Sequence, residues 1–276
     1  MANNPALQAI HVHPVKALRG HAPGEAVVEP WGLAGDRRWA VIDEAGKVVT
    51  QRQRPRLALA AAEPLPGGGI RLSAPGTDPL TVPVPDPAVT IPAKFPRQKV
   101  ETVAADASAS TWFSAYLGVD VTLVHLDDPA TRRPIDDAPH ALPGETVSLA
   151  DAYPLLLTTQ SSLDALNSLI AQGDHPDEGP LPMNRFRPNV VVAGTPPWAE
   201  DDWTRIAIGE VSFRVAKMCG RCVVTTTDQG TAERGKEPLR TLGRHRRFGD
   251  QLAFGQNLVP ESRGTVRVGD PVRILG

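Results

Sequence analysis

Hydrophobic positions in the first third of the chain fall in short, β-branched runs bounded by Gly, Pro and Asp. That is the pattern of strands joined by turns rather than of helices. It predicts strands over 7–15, 26–29, 38–42, 47–50, 57–63, 70–73 and 80–84. Asp43-Glu44-Ala45-Gly46 reads as a hairpin turn, and Pro66 to Gly69 as another. The three glycines of the second turn lead into a strand, not a helix, so they make a poor phosphate loop. Residues 83–96 hold five prolines and read as an extended connection. The pattern then changes period. Trp112, Phe113, Tyr116 and Leu117 share one face of a helix over 106–118, with Asp106 to cap its start and Gly118 its end. A strand over 119–126 follows.

The remainder returns to strands, over 147–150, 155–158, 190–193, 203–208, 211–215 and 222–227, with two closing strands around Val266 and Ile274. One helix is predicted at 161–170, where Ser161 and Asp164 resemble a capping box and Leu163, Leu166, Leu169 and Ile170 line one side. A shorter helix is predicted at 237–242. Residues 171–182 read as a loop, and 208–211 and 268–271 as tight turns. No internal repeat is evident. The fold class is α+β and mainly β, with two β-barrel-like units and a few short helices. The expected division is 1–95, a helix–strand connection over 96–130, and 131–276.

Composition narrows the function classes. The chain has 276 residues, 41% hydrophobic and 22% charged, enough to bury a core without disulfide or metal staples. Its net charge of −2 gives no electrostatic case for nucleic acid or an anionic membrane as a partner. No apolar stretch approaches the ~18 residues of a spanning helix, and the N-terminus lacks the pattern of a secretion signal, so the expected location is cytoplasmic. The two cysteines, Cys219 and Cys222, are too few for a disulfide framework.

Those two cysteines form the sharpest local feature, Met218-Cys219-Gly220-Arg221-Cys222. Four readings compete: half of a zinc site, a thioredoxin-like redox pair, two inert small apolar residues, or a soft thiolate ligand for a transition metal. The β-branched run after Cys222 argues against the helix that a redox pair needs. In the last reading Arg221 is expected beside the ligating sulfur. Elsewhere, His11 and His13 share a strand face, a weak metal signal, and Lys16 follows them. Asp36-Arg37-Arg38 is either a surface ion pair or an arginine fork aimed at phosphate. Arg185, Arg187 and Asn189 fall on one strand face by period two. Two guanidiniums and an amide entering an apolar strand suit an anionic, hydrogen-bonding ligand. No catalytic triad, HExxH, Walker loop or dinucleotide fingerprint is present.

Taken in order, seven segments resemble the MOSC family, the molybdenum-cofactor sulfurase C-terminal domain, in its form with an N-terminal β-barrel domain. They are His13 to Lys16, Gly35 to Trp39, Phe186 to Asn189, Cys219 to Thr227, Lys236 to Leu239, Phe254 to Asn257 and Val268 to Pro271. The resemblance spans nearly the whole chain and is strongest to the amidoxime-reducing branch and bacterial N-hydroxy-compound reductases. It implies an N-terminal β-barrel domain over 1–95, a MOSC domain over 131–276, and a molybdopterin cofactor held between them. By the same resemblance Cys222 is the thiolate on molybdenum and the catalytic residue. Lys16, Arg37, Arg187 and Asn189 hold the pterin and its phosphate, and Gly220, Arg221 and Asn257 line the pocket. Cys219 carries no such role.

The implied activity is reduction of N-hydroxylated compounds, amidoximes and N-hydroxylated bases, by oxygen removal at molybdenum. Two cysteines cannot ligate an iron–sulfur cluster, so electrons are expected from a separate flavin or iron–sulfur reductase. The rival expectation is a carrier of molybdenum cofactor, or a sulfur-transfer module bearing a persulfide on Cys222. A third is a β-rich zinc or thiol protein. No lysine is assigned as a pyridoxal-phosphate Schiff base. The chain departs from the family's habit at Ala17, at Ala152-Tyr153-Pro154 and at Asn257, swaps that remove hydroxyl contacts or change the pocket wall.

Overall fold

A computed structural model describes residues 4–87, 90–137 and 139–276. The protein is mainly β, with four α-helices among the described residues. The largest sheet has eight strands, and its main path runs Ala6–Ile10, Val190–Ala193, Leu155–Thr159, Gln251–Pro260, Val211–Gly220, Arg205–Ile208 and Val272–Ile274. The two ends of that path meet. Leu7 N donates to Asp270 O at 2.9 Å and Val272 N to Pro5 O at 2.8 Å, so the sheet is a nearly closed barrel with few bare edge groups. Its interior is filled by alternating inward side chains, among them Leu7, Leu157, Val192, Ile206, Phe213 and Leu258, all buried.

Three smaller sheets accompany it. One pairs Trp39–Asp43, Val121–His125, Lys99–Ala104 and Thr90–Lys94; a second pairs Ala61–Pro64, Ile70–Ser73 and Leu80–Val82. The helix Ala107–Leu117 closes their shared core through Phe113 and Tyr116. Asp106 accepts from Ser108 N at 2.8 Å, and Gly118 ends the helix in the left-handed region at φ 68°, as predicted. In the third small sheet, Glu25–Glu29 pairs with both Gly32–Leu33 and Gly264–Arg267.

Several local expectations are corrected. The helix predicted at 161–170 is Gln160–Ala171, and its cap is Thr159, whose hydroxyl accepts from Ser162 N at 3.2 Å, in place of the Ser161–Asp164 box. Residues 57–59 belong to a short 3-10 turn, Pro55–Leu59, because the prolyl ring pre-sets the first turn. Residues 47–50 and 147–150 form no strand, and the late helix is Leu239–His245. The proline-rich connection includes a real strand, Thr90–Lys94, while residues 88 and 89 of that connection lie outside the described ones. Residues 223–227 do not extend the barrel. They coil into the 3-10 turn Val223–Thr226, because the Thr225 and Thr226 hydroxyls donate to Cys222 O and Val223 O, each at 2.9 Å.

Candidate functional site

A cavity of about 320 Å³ opens where the main barrel meets the N-terminal sheets. Its walls come from three stretches distant in sequence. Lys16, Arg37 and Arg52 come from the first, Asp151, Arg187 and Asn189 from the second, and Lys217, Cys222 and Asn257 from the third. All eight residues that the family resemblance assigns to the cofactor line this cleft, Gly220 and Arg221 included.

Close backbone approach sets the course of the strand that carries Asn257 to this cleft. Gly255 sits at φ 80°, and a Cβ there would lie 2.4 Å from Leu157 O, so only glycine lets strand Gln251–Pro260 pass this close to its neighbour. Backbone strain is concentrated at the wall. Of the five non-glycine residues at positive φ among the described residues, Ala17 (70°), Arg37 (48°) and Arg187 (54°) line the cleft. Such conformations cost about 1–3 kcal/mol each and persist where surrounding contacts hold them.

The arginines divide by what they touch. Asp36 is fully buried, not a surface partner. It accepts from His13 N at 2.8 Å and from Arg37. Arg37 also donates to Asn189 Oδ1 and Arg187 O, each at 3.1 Å. Arg38 points away, onto Leu126 O and Asp127 O. The predicted common face of Arg185, Arg187 and Asn189 does not form. The chain turns at Met183–Arg185, Arg187 is left-handed, and the strand begins at Val190. Arg185 leaves the cleft to bond Thr226 O and Asp228, each at 2.9 Å. Arg187 stays, and its Nη2 is buried without a hydrogen-bond partner among the described residues. Burial, with Arg37 as neighbour, lowers its pKa to about 9.

Asn189 is a knot rather than an open donor. Its Oδ1 accepts from Arg37 and, at 3.2 Å, from Leu156 N, while its Nδ2 donates to His11 O at 3.1 Å. Its place is to hold Arg37 and the cleft wall. Lys16 is buried. Its Nζ donates to Leu149 O at 2.9 Å and Asp151 Oδ1 at 2.5 Å. Burial pulls its pKa down to about 8, against the pull of Asp151. The Lys16 ammonium in turn holds the Asp151 carboxyl well below the usual range, even though that carboxylate stands open in the cleft mouth.

Both cysteines are free and half-buried, and both line the cleft. Arg221 turns to the first of them, with Nη1 2.9 Å from Cys219 Sγ and Nη2 donating to Phe186 O at 2.6 Å. The cation at Cys222 is Arg52, whose Nη2 lies 3.4 Å from the sulfur. Asn257 Nδ2 donates weakly to Met218 O at 3.4 Å. At the rim, Lys217 pairs with Asp137, which also accepts from Tyr153 at 2.8 Å. Reading the sequence missed Arg52, Asp151 and Lys217. Arg52 and Lys217 sit in no motif. Asp151 directly precedes the Ala152-Tyr153-Pro154 departure, which was the one available signal.

His11 and His13 make no metal site, and no cluster of three or more His, Cys, Asp or Glu side chains able to hold a metal ion occurs among the described residues. Burial beside Arg187 and Arg37 holds His13 well below its ordinary pKa, so it is a neutral support behind the wall.

A soft sulfur, a set of guanidiniums and an unpartnered buried N–H thus meet in one cleft. Residues 4–120 match the model of the MOSC N-terminal beta barrel domain, and residues 144–273 that of the MOSC domain. The mitochondrial amidoxime-reducing component 1 of Homo sapiens is 34% identical, over 96% of this chain and 81% of its own length. The Mus musculus protein of that name is 33% identical over the same shares. The molybdenum cofactor sulfurase of Danio rerio is 30% identical over 93% of this chain but 32% of its own. The chain belongs to the MOSC family and is related to its amidoxime-reducing members.

Proposed function

We propose that this chain is a molybdenum-cofactor-dependent reductase of N-hydroxylated compounds, supplied with electrons by a separate flavin or iron–sulfur protein. The observation that carries the reading is the meeting of the Cys222 sulfur with an unsatisfied cationic wall in one cleft. A phosphorylated pterin fits that wall. Arg187 Nη2 and Arg221 Nε are buried without partners among the described residues, and a phosphate or pterin acceptor would satisfy them. Cys222 would hold molybdenum, Lys16, Arg37 and Arg187 would face the phosphate and pterin, and Gly220, Arg221 and Asn257 would line the remainder. Asn189 supports from behind.

When bound, the cofactor supplies two-electron reduction of an N–O bond, R–NOH plus two electrons and two protons giving R–NH and water. The chain's own residues bind and orient. Arg52 donates toward the Cys222 sulfur, and the strained Arg37–Arg187 pair keeps its donors in place without rearrangement. Similarity to amidoxime-reducing relatives across both domains supports the substrate class.

The test is metal and pterin analysis of the purified protein, followed by turnover of benzamidoxime with dithionite as reductant. Molybdenum and pterin in about equal amounts, with turnover absent from Cys222→Ala, is the expected result. A persulfide on Cys222 without molybdenum would transfer the chain to the sulfur-carrying class, and bound zinc to neither.

A further inference from the structure

Six cationic side chains line the cleft, Lys16, Arg37, Arg52, Arg187, Lys217 and Arg221, and Asp151 is the one acid among the lining residues described. Most of the cations already have protein partners. Arg37 is engaged by Asp36, Asn189 and Arg187 O, Arg221 by Cys219 and Phe186 O, and Lys217 by Asp137. Asp151 is left as the common counter-charge of the rest. Its carboxylate is 2.5 Å from Lys16 Nζ and 3.6 Å from Arg52 Nη2, and its field also reaches Arg37 and Arg187.

The two partners of the central pair are unequal. The Lys16 side chain is 8% exposed, whereas that of Asp151 is 67% exposed. The ammonium cannot leave without crossing protein, and Leu149 O holds it from behind. The carboxylate needs only to rotate into solvent. The backbone beside it stays fixed, because Ala150 O accepts from buried Arg133 at 2.8 Å. Asp151 therefore occupies, as a tethered and movable group, the seat in which an incoming anion would meet Lys16 and Arg52.

We infer that Asp151 sets which anions the cleft retains: a dianionic phosphate monoester displaces its carboxylate, and a monoanionic phosphodiester does not. A tethered carboxylate carries one negative charge and no association entropy to repay. A free monoanion gains no charge by replacing it and loses its translational freedom. A phosphate monoester carries close to two charges above its second pKa of about 6 and three acceptor oxygens for the same cations. The cleft is thereby selective for a terminal phosphate over a phosphate esterified on both sides. This rests on the reading that the cleft takes a phosphorylated ligand, and names the residue that chooses the ligand's form.

The test uses the cofactor-free chain and isothermal titration at about pH 7 in phosphate-free buffer, where Lys16 keeps its charge, with methyl phosphate and dimethyl phosphate as probes. The wild-type chain is expected to bind methyl phosphate at least about tenfold more tightly than dimethyl phosphate. Asp151→Asn is expected to bind methyl phosphate about fivefold or more tightly than wild type and to take up dimethyl phosphate as well, so that the preference shrinks. Lys16→Met should abolish methyl phosphate binding in both backgrounds. Asp151→Ala and a thermal melt guard against a folding artefact of one variant. Methyl phosphate binding by Asp151→Asn no tighter than wild type overturns the inference, as does an unchanged preference or no binding by either chain. A protein that shows this selectivity yet never carries molybdenum would sink the reductase reading and leave the inference standing.

Discussion

The guanidinium of Arg52 lies 3.4 Å from the sulfur of Cys222, across a sequence separation of 170 residues. Arg221, adjacent to that cysteine in sequence, contacts Cys219 instead. The exchange has a structural cause. Arg234 donates to the carbonyls of both Gln51 and Arg52, and the amides of Gln51 and Gln229 bond each other reciprocally at 3.1 Å. The segment after the Val223–Thr226 turn thus straps the N-terminal half onto the cysteine loop and carries Arg52 to the sulfur.

Replacing Arg52 separates chemistry from folding. The side chain is 39% exposed, so Arg52→Gln should change unfolding free energy by no more than about 0.5 kcal/mol. Loss of a positioned donor at the sulfur should lower kcat/KM about tenfold or more, mostly in kcat, with partial recovery in Arg52→Lys. Urea denaturation, and steady-state kinetics of the proposed reductase activity in the cofactor-loaded chain, check the two halves.

Asn189→Ala should act in the opposite way, on the scaffold first. It leaves Leu156 N and His11 O without their side-chain partner and frees Arg37. Orphaned buried groups cost about 1–3 kcal/mol each, so a loss of about 3 kcal/mol is expected in urea denaturation, with phosphate affinity falling as Arg37 loosens.

Stability should decline as pH falls from about 6.5 to about 4. His125 is buried against Trp39, with ring centroids 4.4 Å apart, and burial together with Arg38 holds its pKa at about 4. Across that window the unfolded chain binds a proton that the folded chain refuses, so the contribution is intact above about 6.5 and about 3 kcal/mol is lost on the way down. His13 adds in the same direction. Denaturation midpoints across this range should show a shallower slope in His125→Gln than in the wild type.

Gly255→Ala should fail outright. The new Cβ meets Leu157 O at 2.4 Å and Thr158 Cγ2 at 2.9 Å, at a φ of 80°. A fixed backbone on one side and a left-handed conformation on the other leave no route to relax, and a loss above about 4 kcal/mol is expected, read as insoluble protein or a collapsed Tm.

Local chemistry made much of this architecture legible from residues alone. The helix caps at Asp106 and Gly118, the apolar face of 161–170 and the turn at Asp43 to Gly46 depend on neighbours within a few positions, and all appear. The eight candidate site residues share a cleft because each lies in a short segment whose backbone is constrained. What period counting missed was decided by tertiary contacts. Nothing near Arg185 foretells that it departs for Thr226 and Asp228, or that Arg187 adopts a left-handed conformation. The threonines after Cys222 have strand propensity, but their hydroxyls bond back onto the chain and curl it. Arg52 is an ordinary surface arginine until Arg234 anchors its backbone.

The edge of the main barrel is supplied by Ala6–Ile10, at the far end of the chain from most of its partners, and Glu25–Glu29 is stitched to Gly264–Arg267 in the same manner. A fragment cut at the middle of the chain would therefore be missing a stave. It would show raw amide edges to solvent and pair with whatever strand it met. Anyone wishing to exchange halves between relatives would have to transplant the opening thirty or so residues together with the closing half, because inheritance here follows the weave and not the order of the thread.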